Sequence, residues 1–341
     1  MSPALRLGTR GSRLALAQSR SVAEALTAAS GLEVDLVEIT TFGDTSDEPL
    51  ATIGGTGVFV SALREALLAG EVDFAVHSLK DLPTGAAEGL TLAAVPPRAD
   101  PRDVLCARDH LTLGELPPGS KIGTGSPRRA AQLRALGLDL EVVPVRGNVD
   151  TRLSKVADGI LDGVVLAHAG LSRLGLLDAV TEVLDPIQVL PAPGQGALAV
   201  ECRSTDTELI DKIAVLDDPM TRLAVTAERV VLARLEAGCS APVGAYAVTA
   251  EGEDTQDEEL SGTPEASRAT SETAGSAVFM ELYIRGAVVS DDGAVTIRKS
   301  VTGPVGEAEQ LGRALAQEML DDGAGTVVGA EMPAPKKENV S

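Results

Sequence analysis

Apolar residues come in short blocks separated by turn residues, and their spacing switches between two periods along the first two thirds of the chain. Leu5 to Gly8 is a compact apolar run and predicts a strand. Arg13 to Ala28 carries apolar residues at helical spacing directly after Ser12, whose side-chain type caps helix N-termini. Val34 to Thr40 alternates as a half-buried strand does, and Val58 to Leu68 has helical spacing. Val72 to His77 predicts a strand that runs into Ser78-Leu79-Lys80-Asp81. Strand and helix thus alternate, which points to an α/β unit.

The charged, Pro-rich stretch Pro96-Pro97-Arg98-Ala99-Asp100-Pro101 breaks this pattern and has the composition of a hinge. Beyond it, Lys121-Ile122-Gly123-Thr124-Gly125-Ser126 predicts a strand entering a helix at Pro127-Arg128-Arg129, which repeats the opening Leu7-Gly8-Thr9-Arg10-Gly11-Ser12. Each copy offers a strand, a Gly-Thr turn, a Ser cap and a helix N-terminus, whose free N–H groups and dipole favour anions. Strand-Gly-helix junctions are also common in α/β proteins at large, so the repeat alone does not identify a site. Leu161 to Leu166 predicts another strand. Leu190 to Gly196 is a second turn-rich crossing ahead of a strand over Ala197 to Cys202. Two crossings predict two periplasmic-binding-protein-like (type II) α/β lobes with a hinge, the later strand returning to complete the first sheet.

A helix over Arg222 to Leu235, strands over Val243 to Thr249, Ala277 to Val289 and Ala294 to Val301, and a helix over Pro304 to Leu320 predict a small α+β C-terminal domain. Within it, Ala250 to Ser276 has eight acidic residues against one Arg and few apolar ones, which predicts a mobile insertion. The tail from Pro333 is expected to fray.

Composition narrows the function. A chain of 341 residues accommodates two or three domains of roughly 100 to 150 residues. Its net charge of −21, with no Trp, two Tyr and four Phe, disfavours nucleic acid, which needs cations and stacking rings. Arg6, Arg10 and Arg13 interrupt the N-terminus, and no run of about 18 apolar residues occurs, so a cytoplasmic protein away from the membrane is expected. Cys106, Cys202 and Cys239 lie far apart without a CxxC pair, and His77, His110 and His168 are scattered. Neither pattern supports a disulfide framework or a metal site.

Lys121 to Arg173 reverses the overall charge, with eight basic residues against five acidic ones. Several of these arginines stand beside turn or cap signals, where planar guanidinium forks could grip a ligand with several carboxylates, or could simply form a solvated basic face. Asp81 sits just past a strand end, where α/β sheets place functional groups; it could stabilise a cation or cap a turn before Pro83. Cys239, in the loop Glu236-Ala237-Gly238-Cys239-Ser240-Ala241-Pro242, is a candidate nucleophile or attachment point, although an inert buried cysteine is also open. The Gly-rich pieces Gly54-Gly55-Thr56-Gly57 and Gly123-Thr124-Gly125 match no nucleotide-binding pattern.

Taken together, Ala75-Val76-His77-Ser78-Leu79-Lys80-Asp81-Leu82-Pro83, Gly123 to Arg129, Val145-Arg146-Gly147-Asn148-Val149-Asp150-Thr151-Arg152-Leu153 and Glu236-Ala237-Gly238-Cys239 strongly resemble the motifs of the hydroxymethylbilane synthase (porphobilinogen deaminase) family. They come in that family's order, and Gly8 to Ser12, Ala169 to Gly175 and Leu190 to Ala197 add to the match. The resemblance is dense over residues 4 to 250 and weaker after that.

It implies a monomeric transferase that joins four porphobilinogen molecules head to tail and releases hydroxymethylbilane, which passes to uroporphyrinogen-III synthase. A dipyrromethane cofactor would be bonded to Cys239 and carried by the third domain into the cleft between the first two. Domain 1 would cover about 1–96 and 197–215, domain 2 about 102–190 and domain 3 about 219–332. Asp81 is then the catalytic carboxylate. Lys80, Ser78, Thr124, Ser126, Arg128, Arg129, Arg146 and Gly147 would hold the cofactor, and Arg10, Ser12, Arg152, Arg173 and Gln195 the substrate. The sequence departs from the family's pattern at Thr52 and Thr56, where many members have lysines, and at Gly125, often serine. The segment Gly54 to Phe59 could serve as a lid. A non-catalytic two-lobed receptor for a small carboxylate, or an inactive scaffold of the same fold, remains the rival; neither needs Asp81 or a covalent primer.

Overall fold

The computed structural model describes residues 4–40, 60–238, 241–252 and 279–329. Thr52, Thr56, the Gly54 to Phe59 segment, Cys239, most of the acidic insertion and the tail from Pro333 lie outside these residues.

The chain opens with β1 (Leu5–Thr9), α1 (Arg13–Ser30), β2 (Val34–Glu38), α2 (Ser61–Leu68), β3 (Phe74–Ser78) and β4 (Leu90–Ala94). After the first crossing come β5 (Asp103–Ala107), β6 (Lys121–Thr124), α3 (Pro127–Ala135), β7 (Glu141–Pro144), α4 (Val149–Ala157), β8 (Gly163–Ala167), α5 (His168–Leu174) and β9 (Glu182–Val183). The second crossing leads to β10 (Leu198–Arg203), α6 (Thr207–Ile213) and α7 (Pro219–Arg234). The chain continues with β11 (Val243–Gly252), β12 (Phe279–Val289), β13 (Thr296–Pro304), α8 (Ala308–Asp321) and α9 (Ala324–Val328).

Two five-stranded sheets share one topology. The first runs β2-β1-β3-β10-β4 and the second β7-β6-β8-β5-β9. In each, the first three strands are parallel and the fourth is antiparallel to both neighbours. That fourth strand is the one attached to a crossing: β5 leaves the first, and β10 leaves the second to complete the opening sheet. The repeated strand, turn and Ser cap of the sequence therefore occupy equivalent places, β1 into α1 and β6 into α3.

Each sheet has its own core. Leu7, Phe74, Val76 and Val200 pack under Val22 and Leu26 of α1. Leu105, Ile122 and Val165 pack with Leu133 of α3. The antiparallel sheet β11-β12-β13 buries Leu282 and Ile284 against Val231 of α7 and Leu315 of α8. Full burial of such a side chain stabilises by about 1.5–3 kcal/mol, so each unit has a substantial core of its own.

Some boundaries differ from expectation for local reasons. Glu71 and Val72 donate their N–H groups to Ala66 O and so close the turn after α2, which delays β3 to Phe74. Pro304 ends β13, paired with Glu281, rather than starting a helix; β13 is an edge strand, where Pro is tolerated, and α8 begins at Ala308. β4, β7, β9 and the helices α4 to α6 and α9 have no counterpart among the predicted elements, being too short to display a clear period.

Candidate active site

The two crossings touch through glycines that only their backbone conformation permits. Gly196, at φ +89°, faces the first crossing so closely that a Cβ would lie 2.4 Å from Ala99 O. Gly194, at φ +75°, packs on Leu79 and Lys80, just before Asp81. These positions bring the second crossing against the turn at the end of β3, a 3-10 turn over Leu79–Asp81.

Between the glycines lies Gln195, only 1 % exposed. Its Nε2 donates to Pro101 O and to Asp103 Oδ1, both at 2.7 Å, and its Oε1 accepts from Lys80 Nζ and from Arg129 Nη2, both at 3.4 Å. Asp103, the first residue of β5, is fully buried. It accepts from Arg128 Nη2 at 2.7 Å and from Arg129 Nε and Nη2 at 3.0 and 2.8 Å. Ser126 caps α3 by accepting from Arg129 N, with Pro127 opening the helix, so the first turn aims both arginines at Asp103. Thr124 is buried beside them, and its Oγ1 accepts from Ser126 N at 3.2 Å.

Electrostatics follow from this burial. Burial alone would push the Asp103 carboxyl up, but Arg128 and Arg129 together hold it down at about 2. Burial lowers Lys80 to about 8, with Asp81 pulling in the opposite direction. Arg128 also donates to Leu190 O, while its Nε is buried without a hydrogen-bond partner. Three cations, Lys80, Arg128 and Arg129, thus face one buried carboxylate, and Asp81 is exposed at the side of Lys80.

A second set of basic residues stands at the rim. Arg152 donates from Nε to Gly147 O at 2.8 Å, and its pKa is lowered by burial first, then by Arg129 and Arg146. Arg146 is exposed. A side chain at Gly125 would put a Cβ 2.7 Å from Val145 O, so a serine there does not fit this backbone without a shift. Arg173 donates to Gly196 O at 2.7 Å, and burial lowers it to about 10. In the first lobe Arg10 is half-buried at the end of β1, Ser12 caps α1 by accepting from Ala15 N, and Ser78 Oγ accepts from Gln18 Nε2 at 3.0 Å. Arg13 Nη1 reaches Asp150 Oδ1 at 2.8 Å, an exposed pair that spans the two lobes.

The structure therefore gathers Lys80, Asp81, Arg128, Arg129, Gln195, Arg146 and Arg152 around the crossings. Arg10, Ser12, Ser78 and Arg173 sit on the surrounding turns. Cys239 is outside the described residues. Its neighbours Ala237 and Gly238 line a cavity of about 240 Å³ together with Pro83, Thr84 and Gly85, the residues that follow the Asp81 turn. By contrast, Cys106 and Cys202 are buried, and burial raises their thiols to about 12 and about 11. Among the described residues no group of three His, Cys, Asp or Glu could hold a metal ion, and no helix is long and apolar enough to cross a membrane.

Sequence reasoning missed two buried carboxylates at the crossings. Asp103 opens an apolar strand, and that charge at the edge of an apolar block was the available signal. Glu228 of α7 is fully buried; it accepts from Arg98 Nη1 and Nη2 at 2.6 and 3.0 Å, from Gly194 N at 2.7 Å and from Ala247 N at 2.8 Å. Arg98 also lies over the Tyr246 ring, 5.4 Å from its centre. One carboxylate thus joins both crossings to the third unit.

Two family models match the chain: "Porphobilinogen deaminase, dipyromethane cofactor binding domain" over residues 5–211 and "Porphobilinogen deaminase, C-terminal domain" over residues 222–321. Porphobilinogen deaminase 1 of Streptomyces coelicolor is 55% identical over 335 residues, covering 96% of this chain and 98% of that protein. Porphobilinogen deaminase of Thermobifida fusca is 56% identical over 331 residues (95% of each), and that of Mycobacterium tuberculosis 56% over 320 residues (94% and 97%). Among solved structures, the methionine-binding protein MetQ is 15% identical and covers 62% of this chain and 89% of its own, with a TM-score of 0.41. With both family models matched and relatives aligned over nearly its whole length, the chain belongs to the porphobilinogen deaminase family.

Proposed function

We propose that this chain is a hydroxymethylbilane synthase, a transferase of tetrapyrrole biosynthesis that condenses four porphobilinogen molecules head to tail, losing ammonia at each addition, and releases linear hydroxymethylbilane by hydrolysis. The observation that carries this reading is the excess of buried positive charge beside Asp81, at the junction of the two crossings.

The residues present fit a dipyrromethane cofactor with its acetate and propionate groups. Arg128 Nε is buried without a hydrogen-bond partner, and Arg152 is partly buried beside Arg129 and Arg146, so carboxylate oxygens meet an unused donor within a basic cluster. Lys80, Ser78, Thr124, Ser126, Arg128, Arg129, Arg146 and Gly147 would hold the group, with Cys239 as its covalent anchor. When bound, it supplies the pyrrole carbon onto which porphobilinogen is joined. Arg10, Ser12, Arg152, Arg173 and Gln195 would hold the carboxylates of the incoming porphobilinogen. Asp103 keeps Arg128 and Arg129 in place, so the donors are pre-ordered rather than recruited.

Asp81 performs the electrostatic step. As porphobilinogen loses ammonia, positive charge develops on its pyrrole nitrogen. A carboxylate about 4 Å away is worth about 4 kcal/mol at an effective dielectric of 20, or about a thousandfold in rate if felt mainly in the transition state. The three sheets support a division into domains 1–96 with 197–215, 102–190 and 219–332, of which the third would carry the primer. A cytoplasmic monomer handing its product to uroporphyrinogen-III synthase completes the reading.

The intact mass of the purified chain should exceed its sequence mass by two linked pyrrole units, and Cys239→Ser should abolish the increment. A bare wild-type mass, from protein purified under conditions that preserve the cofactor, would overturn the assignment of Cys239.

A further inference from the structure

The turn that bears Asp81 is short. A 3-10 turn of three residues closes only one bond of its own, Leu82 N to Leu79 O at 3.1 Å, and leaves the following carbonyls to find donors elsewhere. Those donors come from another unit. Arg229 of α7 donates from Nη1 to Leu79 O at 3.2 Å and to Leu82 O at 3.0 Å, and from Nη2 to Pro83 O at 2.7 Å. One guanidinium thus brackets Asp81 from both sides in sequence. Its planar fork suits the task, since several N–H groups leave in fixed directions from a single rigid plane.

The rest of α7 supports the same contact. Val225, one helical turn before Arg229, is buried with Leu79 and Leu82 in one apolar cluster. Leu232, Ala233 and Glu236, beyond Arg229, line the cavity shared with Pro83, Thr84 and Gly85. The helix ends at Arg234, five residues before Cys239. A single face of α7 therefore runs along the Asp81 turn and continues into residues 235–238, which precede Cys239 in sequence.

We propose that Arg229 is a positioning residue: from the third unit it sets the backbone of the Leu79–Pro83 turn, so that the carboxylate of Asp81 and the segment leading to Cys239 are aligned by one side chain. The inference rests on the reading of Asp81 as the catalytic carboxylate. A side chain that only tied two units together would support stability whatever residue stood at position 81, whereas one that aims Asp81 matters to turnover only while the carboxylate is there.

A double-mutant cycle separates the two. Arg229→Met and Arg229→Lys would be made in the wild-type and Asp81→Asn backgrounds and purified as holoenzymes. Primer content would be read by intact mass, folding by thermal unfolding, and turnover with porphobilinogen at saturation. With three hydrogen bonds from a charged donor removed, Arg229→Met should keep the primer and lower kcat about tenfold or more while KM stays within about twofold. In the Asp81→Asn background the same change should alter kcat by less than about twofold, because the group it positions is gone. Arg229→Lys, retaining the charge and a single donor head, should fall between; if the Met variant does not fold, the Lys cycle decides. Equal losses in both backgrounds, an unchanged kcat, or loss of the primer in the Arg229 variants would overturn the inference. Wild-type turnover by Asp81→Asn would instead sink the reading of Asp81, and the inference with it.

Discussion

Arg128 and Arg129, 3 % and 6 % exposed, share the carboxylate of Asp103, whereas Arg146 is exposed and the half-buried Arg152 has its pKa lowered by burial first and then by Arg129 and Arg146. The same side-chain type thus plays two parts within one basic patch. At the crossings the guanidinium groups are fixed by a buried counter-charge that neutralises part of their desolvation cost. At the rim the half-buried Arg152 donates to a backbone carbonyl, Gly147 O, and has Arg129 and Arg146 beside it. Glu228 repeats the first arrangement on the other side of the hinge, where four donors saturate it. The basic patch thus combines a buried base fixed by a counter-charge with a rim that runs from the half-buried Arg152 to the exposed Arg146.

The sharpest way to break this contrast is Asp103→Asn. Removing one partner of a buried ionic cluster leaves two guanidinium groups uncompensated and should cost about 3–5 kcal/mol in urea unfolding. The acid limb carries the same signature. Asp103 titrates at about 2 in the folded chain and near 3.9 when unfolded, so its contribution is complete above about pH 4 and fades as pH falls towards 2. Asp103→Asn should flatten that part of the stability profile; an unchanged acid limb would mean the cluster contributes little. At the other extreme, Arg13→Ala removes an exposed ion pair with Asp150 and should cost less than about 1 kcal/mol, the more so in salt. A loss as large as that of Asp103→Asn would erase the distinction between base and rim.

Much of the architecture was legible from spacing. Ser12 and Ser126 marked two helix starts, and the Pro-rich stretch before Asp103 and the Leu190 to Gly196 crossing marked the hinge, because caps, prolines and glycines are local signals. The partnerships were not legible. Arg128 and Arg129 read as ligand donors, yet both bind Asp103, 25 and 26 residues earlier in sequence, a pairing set only when β5 enters the sheet beside β8. Arg229 is likewise silent in sequence: inside an amphipathic helix it looks like any solvated arginine, and its carbonyl partners lie about 150 residues away. Asp81 could be singled out because it follows a strand end, but what orients it comes from another unit of the fold.

The most direct measurement is turnover of porphobilinogen by Asp81→Asn holoenzyme, with primer content checked by intact mass. A carboxylate acting on a passing cation requires a chain that folds, keeps its two-pyrrole increment and turns over about a hundred- to a thousandfold more slowly. Turnover at the wild-type rate with the primer in place would contradict it, and the buried positive cluster would then be a binding device without its catalytic partner.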